Sequence, residues 1–194
     1  MIQIISFDIG IKNLALCILH YDHVHTKHVE IKVWRVIDLN CKKSDAMGLV
    51  GATLATLDTV TQELMSPDME TFVIIENQMI TTMKSLQTAI NMYFQVMSRH
   101  VLSVPIHVEY INPRLKLKLA EHLEGYNKEP SSRTYSQKYK QNKVDSVDLA
   151  KWLLQKRFHD PDSCEFLLSN TKKDDLADSY NQAVGWALLA YKRI

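Results

Sequence analysis

Cysteine, glycine and long apolar runs are all scarce in this 194-residue sequence, and each scarcity excludes something. Cys17, Cys41 and Cys164 form no CxxC pair and leave an odd count. Neither a disulfide framework nor a cysteine zinc site is therefore expected, and reduced thiols of an intracellular protein are. No stretch approaches the ~20 apolar residues that a membrane-spanning helix requires. No basic leader or Arg/Ser-rich transit segment precedes the first apolar run, so the expected location is the compartment of synthesis, or the nucleus by another route. An excess of one charge is missing too: 23 Lys and Arg face 22 Asp and Glu, a net charge of +1. That excludes a uniformly basic nucleic-acid binder and makes any basic patch local. With 46% hydrophobic residues, the chain has enough apolar material for one folded domain over residues 1–194.

What is present begins with "IISFDIGIKNLALCIL", residues 4 to 19. Ile2, Ile4, Ile5 and Phe7 have the β-branched and aromatic character of a strand, Gly10 permits a turn, and a second strand follows. Asp8 ends the first apolar run. A carboxylate there is costly unless it is paired, hydrogen-bonded or holding a cation. Capping of the turn at Ile9 and Gly10 is the simplest alternative.

Periodicity organises the rest. Strands are expected at 2–9, 13–21 and 28–37, linked by a histidine-rich hairpin end whose His20, His23, His25 and His28 match no zinc spacing. Apolar residues at steps of three and four predict a helix over 46–64, with Ser44 as its N-cap. "TFVIIE", 71–76, reads as a central strand, and 104–111 as another. Between them Met79, Met83, Leu86, Ile90, Tyr93 and Met97 form a straight seam on a helix over 79–100. That seam suits either a core-facing stripe or a dimer contact. Residues 112–143 read mostly as loop, with helices at 144–158 and 174–192. The order predicts α/β architecture: one mixed sheet covered by helices on both faces.

Glu76 ends "FVIIE" as Asp8 ends "IISFD", so two strands terminate in carboxylates. If those strands are parallel neighbours, both acids emerge at the carboxyl edge of the sheet, where open α/β sheets bind ligands. Asp175 and Asp178 are three apart and share one face of the last helix's first turn. Asp174 is a candidate N-cap, and acidic residues there also favour the helix dipole. Four converging carboxylates without His or Cys suit Mg²⁺ or Mn²⁺. Two such ions ~4 Å apart activate water and stabilise a leaving oxygen in phosphodiester cleavage.

The trio "FDIGIKN", "IIENQ" and "KKDDLADS" resembles the Holliday-junction resolvases of the RuvC-like branch of the RNase H superfamily, especially those of poxviruses, related large DNA viruses and fungal mitochondria. The likeness runs from Ile4 to about Leu189. It implies an RNase H-like, RuvC-type five-stranded sheet and a homodimer, here through the helix around 79–100. It also implies paired, metal-dependent nicks in four-way DNA that leave 5′-phosphate and 3′-hydroxyl ends. The family's acids match Asp8, Glu76, Asp175 and Asp178, which the resemblance makes both catalytic and metal-binding, with two Mg²⁺ or Mn²⁺ ions per site. Asn77 departs from the Arg or Gln that often follows the Glu. The lack of a mitochondrial presequence favours a viral or phage-like member, acting where such DNA replicates, in cytoplasm or nucleus.

A local basic segment fits that substrate. From residue 112 to 157 eleven Lys and Arg face five Asp and Glu, a difference of +6, with Tyr126, Tyr135 and Tyr139 interleaved. Such residues neutralise phosphates and stack on unpaired bases. Lys116 and Lys118 in "INPRLKLK" and Lys138, Lys140 and Lys143 in "KYKQNK" are the candidate DNA contacts. Two other classes compete. A junction-binding protein with a degenerate RNase H fold would bind without nicking. Nucleotide-binding proteins of the actin and sugar-kinase type also open with strand, Asp and Gly. They need a duplicated domain and a Gly-rich adenosine site, and this length and five glycines argue against both.

Overall fold

Apolar side chains fall on both faces of the first strands, so the sheet they build has to be covered twice. The computed structural model describes the backbone of residues 1–24, 28–64, 68–100, 105–126 and 135–191, with their side chains except those of 63, 64, 117 and 135–140. The chain runs β1 (Ile2–Ile9), β2 (Asn13–Tyr21), β3 (Val29–Asp38), α1 (Ala46–Leu64), β4 (Thr71–Glu76), α2 (Thr81–His100), β5 (Ile106–Ile111), α3 (Leu115–Glu121), α4 (Tyr135–Trp152), α5 (Pro161–Ser169) and α6 (Lys173–Gly185). Helices α4 and α6 each run on into a π-helical turn, at Leu153–Arg157 and Trp186–Ala190.

The five strands form one sheet in the order β3-β2-β1-β4-β5. The first three pair antiparallel, as short hairpin links allow. β4 and β5 join parallel to β1 and to each other, each after a helical crossover. Strand alternation then sorts the core. Ile5, Phe7, Ile9, Val73 and Ile75 point to one face and pack beneath Leu57 and Val60 of α1 and Leu86, Ile90 and Phe94 of α2. Ile2, Ile4, Phe72 and Ile74 point to the other, against Leu149 of α4, Leu167 of α5 and Leu176, Tyr180 and Ala183 of α6. Two polar ties fix α6 on that face. Trp34 Nε1 donates to the Leu176 carbonyl at 2.9 Å, and the buried Gln182 amide donates to the carbonyls of Phe7 at 3.1 Å and Ile74 at 3.3 Å.

The strand expectations hold to within two residues. So do the helices over 46–64, 79–100 and 174–192, the last continuing through its π turn, while other helical details need correction. α1 is capped by Asp45, whose Oδ1 accepts from the Gly48 amide at 2.8 Å, and not by Ser44. Residues 112–143 are not mostly loop. α3 lies there because Leu115 and Leu119 bury against Gly185 of α6, and α4 begins at Tyr135. The single helix expected over 144–158 is the later part of α4 and its π turn. α5 was not foreseen, although Asp160 Oδ1 accepts from the Ser163 amide at 3.0 Å and Pro161 opens the helix, a standard start.

The methionine seam resolves in favour of the core. Met83, Leu86, Ile90, Tyr93 and Met97 pack against the sheet, while Met79 precedes α2 and is 90% exposed. The outward apolar residues of α2 are instead Met92 and Val96, 56% and 50% exposed. All three cysteines are free thiols. Among the described residues no helix is long and apolar enough to cross a membrane.

Candidate active site

Parallel register brings the first two acids together. Phe7 of β1 pairs with Ile75 of β4, so Asp8 and Glu76 are the next residues on adjacent strands at the same sheet edge. Alternation gives Asp8 the phase of Ile4 and Ser6, and Glu76 the phase of Phe72 and Ile74, so both face α6. Helix α6 enters with its first turns over that edge, held by the Gln182 bonds to the carbonyls of Phe7 and Ile74. Asp8, Glu76, Asp174, Asp175 and Asp178 thereby line one cleft of about 500 Å³.

Neighbouring side chains hold the acids in different ways. Ser146 of α4 donates its hydroxyl to Asp178 Oδ1 at 2.5 Å. Ser146 is itself fixed by Asn181, whose amide donates to the serine carbonyl at 2.8 Å and to its Oγ at 3.0 Å. Asn13, at the start of β2, hydrogen-bonds Asp175. Asp174 does not cap α6, which Lys172 precedes without a side-chain cap bond. It pairs with Lys143 of α4 instead.

Lys116 stands among the carboxylates. Its Nζ donates to Asp178 Oδ2 at 2.8 Å and lies 3.2 Å from Glu76 Oε2. Burial alone would lower the lysine pKa, but Asp178, Asp8 and Glu76 outweigh it and hold the ammonium above its ordinary range. Glu76 Oε2 is buried and accepts no hydrogen bond, so its contact with Lys116 is purely ionic. Asp8 is pushed up from 3.8 to about 7. Burial is the main cause, Lys116 opposes it, and Asp178, Glu76 and Asp175 add to it. Burial and Asp174 raise Asp175 as well, against the pull of Lys143.

The expected cation cage is therefore not preassembled. Among the described residues no three His, Cys, Asp or Glu side chains converge tightly enough to grip an ion as they stand. The physical reason is repulsion between like charges, which Lys116 relieves only in part. The donor set nonetheless fits a hard divalent cation: only carboxylate oxygens, one of them an orphan at Glu76, and an Asp8 carboxyl whose pKa is raised mainly by burial.

The basic candidates separate. Lys116 and Lys143 line the acidic cleft. Lys118, two residues along α3 from Lys116, faces away and is exposed, lining a different groove with Arg114 and Trp186. Lys138 and Lys140 lie on α4, but their side chains fall outside the described residues, as do Lys128, Arg133 and His25. Sequence reasoning missed Asn13, Ser146, Asn181 and Gln182. Nothing in their spacing marks them, because each acts through a contact made only in three dimensions.

A five-stranded mixed sheet with an acid at each of two adjacent strand ends and a covering acidic helix defines an RNase H-like domain of the RuvC type. Known proteins agree. Residues 1–190 match the poxvirus A22 protein family. The fold resembles that of fowlpox virus resolvase, solved with its substrate Holliday junction DNA (TM-score 0.63, 20% identity, 96% of this chain and 97% of that one). It also resembles the yeast mitochondrial Holliday junction resolvase Ydc2 (TM-score 0.66, 15% identity, 96% and 78%) and Thermus thermophilus RuvC (TM-score 0.58, 12% identity, 96% and 96%). Among curated proteins none matches the sequence. The chain belongs to the poxvirus A22 family, which is a family of Holliday-junction-resolving nucleases. RuvC-like resolvases as a class are metal-dependent.

Proposed function

We propose that this protein cleaves four-way DNA junctions by paired, metal-dependent nicks, acting as a homodimer. The observation that carries the reading is the meeting of Asp8, Glu76, Asp175 and Asp178 in one cleft, drawn from two parallel strands and one helix. In this reading these four hold two Mg²⁺ ions, with Mn²⁺ an alternative. Ions held there would supply activation of water and charge stabilisation of the departing 3′ oxygen, consistent with 5′-phosphate and 3′-hydroxyl ends.

The chain's own residues do the positioning. Asn13 and Ser146 orient Asp175 and Asp178, so that these carboxylates present fixed oxygens. Gln182 keeps α6 in register with β1 and β4, which sets the distance between the helix acids and the strand acids. Lys116 balances charge on the cleft floor. Lys143, Lys138 and Lys140 on α4 and Lys118 on α3 contact the phosphates of the arms. The dimer contact on α2 uses its outer face at Met92 and Val96, because the inner seam is spent on the core. The reaction takes place where viral DNA replicates, a reading supported by the match to a poxvirus family.

A junction binder without catalysis is the competing reading. One observation favours it, namely that Lys116 already neutralises part of the acid set. Incubation with a labelled four-way junction, with and without Mg²⁺ and beside a duplex control, decides between them. Symmetric nicks that need the ion are expected. An intact junction after incubation with either Mg²⁺ or Mn²⁺, despite tight binding, would establish the binder.

A further inference from the structure

We infer that the Lys116 ammonium is a built-in placeholder for the divalent cation, so that metal binds only by displacing it. The inference rests on the reading of the cleft as a metal site and concerns how that site is loaded. Nζ of Lys116 is within ion-pair distance of Glu76 and Asp178, two of the four acids, and acts electrostatically on Asp8, a third. Its side chain is well shielded, only 19% exposed.

Three features distinguish a placeholder from an ordinary salt bridge. The ammonium touches carboxylates from two separate elements, β4 and α6, as a bridging ion does and a simple pair does not. The fit is partial: Glu76 Oε2 gains charge balance but no hydrogen bond. A monovalent group therefore holds the carboxylates near one another without satisfying them, and a doubly charged ion has something to gain by replacing it. Finally, the lysine is carried by a short helix that packs on α6 through Leu115 and Leu119 beside Gly185, so a rotation of its long side chain is enough to withdraw the head group without moving the helix. Both cations cannot share the space, since their repulsion at contact distance is large.

Two consequences follow for the metal-free protein. The cleft keeps its shape without metal because Lys116 offsets repulsion among the acids. Metal affinity is lower than four carboxylates alone would give, because each binding event must first expel an internal cation.

The test is Mg²⁺ and Mn²⁺ binding, measured calorimetrically and by thermal shift on metal-free wild type and on Lys116→Met, which keeps the length and loses the charge. The variant is expected to bind roughly tenfold or more tightly, the order expected for removing a like charge at contact distance. Its melting temperature is expected to start lower and to recover with metal. Should the variant not fold, side-chain NMR of the lysine ammonium in wild type supplies the second measurement: the Lys116 resonance should shift and sharpen as metal is added. Equal or weaker metal binding by Lys116→Met overturns the placeholder, as does a Lys116 signal unmoved while metal occupies the site. Metal binding to neither protein sinks the metal-dependent reading as well, so the two failures are distinguishable.

Discussion

Ser146 and Asp178 are joined by a hydroxyl-to-carboxylate hydrogen bond that ties α4 to α6. It orients an acid that stands at the centre of the proposed chemistry. Ser146→Ala leaves Asn181 the serine carbonyl as acceptor, so folding should change little, by about 1 kcal/mol. Loss of an outer-shell contact typically costs a metal site ~10–100-fold. Junction cleavage should fall by that order and recover partly at raised Mg²⁺. An unchanged rate at limiting Mg²⁺ would remove Ser146 from the mechanism.

Asp8→Asn should abolish cleavage, by on the order of 10³-fold or more, because in the proposed reading it removes a metal ligand needed for the reaction. Junction binding should persist, since Asp8 contacts no phosphate in this reading. Gel-shift and cleavage assays on the same preparation separate the two effects.

The Asp8 carboxyl also predicts an unusual pH dependence. Its folded pKa is raised to about 7 from 3.8, so the native state keeps a proton that the unfolded chain has already released. Metal-free stability should therefore fall as pH rises through that window, the reverse of the usual carboxylate behaviour. Asp175 is shifted in the same direction. Asp174 runs the other way: burial is outweighed by its bond to Lys143, and its stabilisation is lost as pH falls through its lowered pKa. Thermal melts should show Asp8→Asn flattening the decline between about pH 5 and 8, with a gain of a few degrees at the upper end.

Gln182→Leu would strip both buried carbonyl acceptors, at Phe7 and Ile74, of their side-chain donor. We expect a loss of about 2 kcal/mol in denaturant unfolding. Activity should fall beyond what lower stability explains, because α6 would no longer be keyed to the strands that carry Asp8 and Glu76.

Lys118 and Lys143 should differ. Lys118 is exposed in its own groove, so Lys118→Ala should weaken junction binding and reduce the salt slope by about one, with the turnover of bound DNA unchanged. Lys143 pairs with Asp174 beside the acids, and Lys143→Ala should lower turnover as well as affinity. Single-turnover cleavage at saturating protein distinguishes them.

Local pattern made much of this protein legible. Strand character lies in the β-branched run of β1 and in "TFVIIE", and an acid that ends such a run is visible by inspection. The three-and-four spacing of α1 and α2 depends on nothing distant. The region after β5 was misread because it is largely polar and basic, so its composition favoured a loop. Leu115 and Leu119 make α3 a helix by meeting α6, some seventy residues later.

Residue type at each strand end, and the order of the acids, were already written in the chain. Whether those acids face one another depended on the parallel pairing of β1 with β4 and on the phase of α6, which arise from packing between distant segments. The two lysines of "LKLK" show the same division. They look alike in sequence, yet the docking of α3 points Lys116 into the acids and Lys118 toward a separate groove. Side-chain direction follows helix phase, and helix phase is set by which face finds a partner to bury.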